Sequence, residues 1–192
     1  GKNLTFSILK LHKQLGLEGH FLISICVSLA IYQVLSSLSV PRLSIKWPND
    51  ILSGTSKICG ILIENSIGGQ EIKSSVIGIG LNVNQISFLN HPKASSLKLI
   101  LNSELHLEEL LDLIIKQLSN SLSQLQKPNW DLMFENYESQ LFKKGVTATF
   151  QEPNGPLFAG IIQGVTKEGK LRLLLEDDKM MEYGLKEVKL HY

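Results

Sequence analysis

The chain has 192 residues, 43% hydrophobic and 19% charged, with a formal net charge of +1, the balance of an ordinary folded domain. So small a net charge supplies no footprint for bulk binding to DNA or to an anionic membrane. Its two cysteines, Cys26 and Cys59, lack metal-ligand spacing and sit in apolar runs, so they read as reduced core residues of a cytoplasmic protein.

Residues 4–9 are short and apolar enough for a strand. Across 21–38, Leu22, Ile25, Cys26, Leu29 and Val34 recur near helical spacing. Polar interruptions at Ser24, Ser28, Gln33, Ser36 and Ser37 favour a buried helix over a membrane span, which needs roughly 20 predominantly apolar residues. The run also lies too far in, without a basic flank, for a signal peptide. Val40-Pro41 ends it. Residues 43–47 predict a short strand, and Asn49-Asp50 after Pro48 predicts a turn. Two stronger strands are predicted over 58–64 and 75–83, joined through 65–70, whose paired glycines suit a hairpin.

Residues 85–103 look irregular. Leu107, Leu110, Leu111, Ile114, Leu118, Leu122 and Leu125 then share one face of an amphipathic helix. Pro128 is placed to open another helix, through Trp130, Phe134, Tyr137 and Leu141. From residue 145 the period changes. Val146, Ala148 and Phe150 alternate with Thr147, Thr149 and Gln151, as in a half-buried strand, and short runs follow over 157–165, 170–175, 180–183 and 187–190. These strands predict a small β-barrel that packs on the larger unit, being close to the lower size limit for folding alone.

Chemistry concentrates in Lys46-Trp-Pro-Asn-Asp50, Lys57-Ile-Cys-Gly60-Ile-Leu-Ile-Glu64 and Ile77-Gly-Ile-Gly-Leu-Asn82. Glycines within strands mark a bulge, close strand packing, or a place where a ligand approaches the backbone. A lysine beside such a surface is either solvated or a partner for phosphate or carboxylate. Asp50 is a turn residue or, with Asn82, a group for a metal ion, a ribose or an attacking amine. Trp47 is a core or hinge residue or a ligand platform. Gly78-x-Gly80 lacks the third glycine and following helix of a dinucleotide site.

Taken together, the three segments resemble the biotin protein ligase family, with its Lys-Trp-Pro-Asn-Asp, Lys-x-x-Gly-Ile-Leu-x-Glu and Ile-Gly-x-Gly-x-Asn motifs in this order. Gly1-Lys-Asn-Leu4 with Ser7, and Ala94-Ser-Ser-Leu97, also match. The resemblance implies an α+β fold: a class II synthetase-like mixed β-sheet with packed helices over 1–143, then an SH3-like barrel over 144–192. It implies ATP-dependent activation of biotin to biotinyl-5'-adenylate and transfer to a lysine of a biotin carboxyl carrier protein, with Mg²⁺ accompanying ATP.

By motif position, Lys57 touches both the biotin carboxylate and the α-phosphate, and Asp50 orients or deprotonates the incoming amine. Lys46 adds charge or supports the loop, and Trp47 joins the substrate-binding set. Asn49 and Asn82 contact the adenylate, phosphates or metal. Gly60 and Gly80 admit the ligand, and Ile61 and Leu62 offer apolar surface to biotin. A homodimer is allowed.

The family's Ser/Thr-Asn motif and Gly-Arg-Gly loop ending in Trp belong just before the first strand. The chain, which opens at Gly1, is therefore expected to be N-terminally truncated and weak or inactive alone. These 192 residues offer no helix-turn-helix pattern, so DNA is not an expected partner. Two alternatives are a catalytically impaired ligase-like binding protein and a lipoate or octanoate transferase relative; Lys46-Trp-Pro-Asn-Asp50 favours biotin over the latter.

Overall fold

A computed structural model describes residues 1–89, 91–126 and 130–192; Pro128 lies outside the described residues. The first layer is a five-stranded sheet of β1 (Leu4–Gly16), β2 (Leu43–Lys46), β3 (Asp50–Ser53), β4 (Ser56–Gly68) and β5 (Glu71–Leu81), in the order β1-β5-β4-β3-β2. All its ladders are antiparallel. The expected mixed sheet is corrected on this point: among the described residues, parallel pairing is confined to isolated bridges, Ile45 with Leu141, Lys57 with Ala94 and Lys144 with Ile162. Short turns join β2 to β3, β3 to β4 and β4 to β5, and such turns can only reverse a strand.

Several boundaries differ from the sequence reading. β1 runs to Gly16 because pairing with β5 carries its polar second half past a bulge between Leu11 and Leu15. β4 likewise extends through Asn65 and Ser66. Asp50 is not only a turn residue. It opens β3, a strand too short to show a period, whose Ile51 and Leu52 are fully buried.

Helix α1 (His20–Ser37) is buried almost all round, packing on β2, β3 and β4 and also against α3 (Leu107–Ser123) and α4 (Trp130–Ser139). Its length and composition would suit a membrane span, but 67% of that window is buried within the fold. Each fully buried leucine or isoleucine contributes roughly 1.5–3 kcal/mol, so contact with neighbouring elements accounts for its apolar character. Leu110, Ile114, Leu118 and Leu122 form the buried stripe of α3. Tyr137 of α4 is fully buried, edge-on to Phe21 at 5.7 Å. The irregular stretch holds one short helix, α2 (Leu97–Leu101), whose N-cap Ser96 Oγ accepts from Leu99 N–H.

The second layer contains β6 (Thr147–Gln151), β7 (Leu157–Val165), β8 (Leu171–Leu175), β9 (Met180–Tyr183) and β10 (Lys189–His191), ordered β10-β6-β7-β8-β9. Among the described residues this is a five-stranded antiparallel sheet with β9 and β10 at its edges. It is fastened to the first unit by several contacts. Trp47 Nε1 donates to the Gly169 carbonyl at 2.9 Å, Gly169 lies against the Phe21 ring, and Val165 N–H donates to Glu138 Oε1 at 2.8 Å.

Candidate functional site

Antiparallel register puts the motif residues in a line. Lys46 pairs with Asp50, Asp50 with Gly60, Gly60 with Gly80, and Gly80 with Thr5. Directly opposed residues face the same side of a sheet, so this row crosses all five strands on one face. The next row is Ser7, Gly78 and Leu62. The result is a slot of 260 Å³ paved by Gly60, Gly78 and Gly80 and lined by Thr5, Ser7 and Leu62. A Cβ on Gly80 would meet no atom within 4 Å, so this part of the floor is open.

Lys57 reaches the same face by a departure from strand phase. Residues three apart on a regular strand face opposite sides. Here Leu52 pairs with Lys57 and Ile51 with Cys59, leaving Ile58 as an extra residue in β4. That bulge re-aims Lys57, and its ammonium would stand 3.1 Å from a Cβ on Gly60. Lys57 Nζ lies 2.5 Å from Asp50 Oδ1, and Lys46 Nζ lies 3.3 Å from Asp50 Oδ2. Asp50, only 14% exposed, therefore joins the two ammonium groups.

A second cleft of 630 Å³ adjoins the slot and shares Lys57, Gly60 and Gly80 with it. Its other walls include Asn82, Phe88, His91, Lys93 and Tyr192. Lys57 thus stands where a glycine-floored, partly apolar slot meets a basic cleft. Cys59 also borders the cleft, but burial pushes its thiol up to about 12, so it is no nucleophile.

The remaining predicted residues divide. Asn49 Nδ2 donates to the Ile61 carbonyl at 2.7 Å while Ile61 N–H donates to the Asn49 carbonyl at 2.9 Å, clamping the loop to β4 beside the slot. Asn82 Nδ2 donates to the Ser95 carbonyl at 3.0 Å, fastening the loop that roofs the cleft. Leu62 is 64% exposed on the slot face, whereas Ile61 is buried on the opposite face. Adjacent strand residues alternate, so Ile61 offers the slot backbone and Leu62 offers the side chain. Trp47 lines neither depression; its indole serves the contact with Gly169. Thr5, Lys93 and Tyr192 escaped sequence reasoning. Thr5 could have been found from its strand register, whereas Lys93 and Tyr192 come together over 99 residues without a shared local pattern.

Residues 1–82 match the Biotin/lipoate A/B protein ligase family. Biotin--[acetyl-CoA-carboxylase] ligase of Paracoccus denitrificans is 41% identical over 63 residues, covering 32% of this chain and 26% of that protein. Chloroplastic biotin--protein ligase 1 of Arabidopsis thaliana is 28% identical over 182 residues, covering 84% of this chain and 46% of that one. The match to that family lies in the N-terminal part of the chain, residues 1–82, which holds the whole glycine-floored row. The chain spans less than half the length of these two relatives. The likeness of fold extends along the whole chain: a biotin protein ligase from Aquifex aeolicus, solved with biotin and ATP, superposes with a TM-score of 0.80 at 23% identity, covering 99% of this chain and 78% of that one.

Proposed function

We propose that this chain carries the adenylation half-site of a biotin ligase, activating biotin with ATP and passing it to a lysine of a biotin carboxyl carrier protein. The observation that carries the reading is the single ammonium of Lys57 at the junction of slot and cleft. The slot suits a small apolar ligand ending in a carboxylate, and the basic cleft suits a nucleotide. A biotin carboxylate oxygen attacks the α-phosphorus, the bond to the bridging oxygen breaks, and pyrophosphate leaves. Both reactants are anions, so Lys57 offsets their repulsion and stabilises charge developing on the phosphoryl oxygens.

Asp50 holds Lys57 in place and faces the same row. In the second step it orients the incoming lysine and takes up its proton; the amine attacks the acyl carbon, the bond to the phosphate oxygen breaks, and AMP leaves. Asp50 is the one carboxylate on this row and already pairs with two ammonium groups, which does not suit a resident metal. Among the described residues there is no group of three His, Cys, Asp or Glu side chains placed to hold an ion. Mg²⁺ would enter on the nucleotide's own oxygens, as part of the substrate. The same reading takes residues 1–143 as the ligase unit, the terminal sheet over 144–192 as its SH3-like barrel, and the protein as cytoplasmic.

The test is biotinylation of a carrier domain by full-length protein, with Lys57→Ala alongside. Loss of one oxyanion-stabilising donor typically lowers turnover about 10²–10³-fold; equal turnover by the variant would overturn the assignment. The matched family also covers lipoate ligases, so calorimetry with biotin against lipoate decides the ligand. Tighter binding of lipoate would replace biotin in this account.

A further inference from the structure

The wall of the cleft farthest along the chain is supplied by Tyr192, just after β10. Its ring lies 4.1 Å from Lys93 Nζ and 5.6 Å from Lys46 Nζ, and Phe142 packs edge-on against it at 5.1 Å. Lys93 Nζ also donates to the Tyr192 carbonyl oxygen. The Lys93 backbone is pinned as well, its carbonyl accepting from Lys57 N–H at 2.7 Å. Lys93 is thus fixed beside the adenylation lysine at one end and on an aromatic ring at the other.

We propose that Lys93 contacts the polyphosphate end of the nucleotide, and that Tyr192 is the positioning residue that holds Lys93 for it. The inference rests on the nucleotide reading above. Lys46 and Lys57 share the Asp50 carboxylate, whereas Lys93 meets a ring face and a main-chain oxygen of Tyr192. A ring orients an ammonium without neutralising it, leaving its charge available to an anion. Burial, and secondarily the nearby Asp50, push the Tyr192 hydroxyl above its usual range, so the ring brings no negative charge into a cleft meant for phosphates. Three lysines and one aspartate then surround the site, a surplus of cations suited to a polyphosphate and unnecessary for a neutral ligand.

Biotin-dependent exchange of pyrophosphate into ATP, measured with full-length protein, tests this directly. A charge-assisted contact is worth about ten-fold or more in affinity. Lys93→Ala is therefore expected to raise KM for ATP at least about ten-fold, with kcat changed less than about two-fold and the Kd for biotin unchanged. Lys93→Arg should recover most of the loss. Tyr192→Ala should raise KM for ATP several-fold, and Tyr192→Phe, which keeps the ring face, should recover it. No exchange by the wild-type protein would overturn the ligase reading and this inference together. Exchange by wild type with an unchanged KM in Lys93→Ala overturns this inference alone, as does a variant that melts earlier but binds ATP normally.

Discussion

Gly80 separates what the floor of the slot does for folding from what it does for a ligand. Nothing lies within 4 Å of a Cβ built there, and its backbone is outside the left-handed region. Gly80→Ala should therefore fold without strain. Removing glycine's extra unfolded-state freedom gains roughly 0.5–1 kcal/mol, or about 1–4 °C in Tm for a chain of this size. A ligand lying on the floor, however, must lift over the new methyl, a misfit of roughly 1–3 kcal/mol and about 5- to 150-fold in Kd. Differential scanning calorimetry and titration with biotin measure the two effects on one sample. Unchanged biotin affinity in a well-folded Gly80→Ala protein would refute the placement of the ligand on this floor. Gly60→Ala makes the complementary case: its Cβ would stand 3.1 Å from Lys57 Nζ, so the lysine must shift. Its main effect is expected in adenylation turnover.

Three further outcomes follow from the packing. Trp47→Phe deletes the indole donor to Gly169 and should cost about 0.5–1.5 kcal/mol, seen as a Tm lowered by about 1–6 °C. Gly169→Ala should be far worse, because its φ is +86° and its Cβ would stand 2.4 Å from the Phe21 ring. Backbone strain and overpacking together cost roughly 2–5 kcal/mol, whereas Gly69→Ala, at φ +65° with open space around it, bears only the backbone cost; equal melting of the two variants would contradict the Phe21 contact. Burial pushes the thiols of Cys26 and Cys59 up to about 12. Both should resist a disulfide reagent at pH 8 until the protein is denatured. Because the folded values exceed the unfolded ones, their contribution to stability is complete below about 8.5 and is lost as pH rises towards 12, which alkaline melting curves will register.

How much could be read in advance depended on how local the cause was. Helix α1 showed itself through an apolar run whose periodicity and length agreed, and α3 through a single leucine-rich stripe. Short β3 did not, because four residues carry no period and its identity comes from pairing on both sides. Among the site residues, Lys46, Asp50, Lys57, Gly60 and Gly80 were visible as motif letters; register explains why they belong together. Ile61 meets the slot through its backbone, because strand alternation sends its side chain to the core. The indole partner of Trp47, Gly169, is 122 residues away and leaves no local sign. Lys93 and Tyr192 had no local pattern to mark them at all.

The spacing of Lys57 and Gly60 is the most informative of these cases. An odd interval in a strand would hide the lysine in the core or turn the glycine away from the slot. Fully buried Ile58 supplies the missing half-period: its insertion lets Ile58 and Cys59 both stay buried while Lys57 and Gly60 share a face. The interval is therefore itself a statement about shape, since a lysine three residues before a floor glycine requires a bulge between them. The bulge sits directly opposite β3, whose first residue is Asp50, so one local irregularity brings together the glycine floor, the ammonium and the carboxylate. The chemistry of the row depends on that break in an otherwise regular sheet.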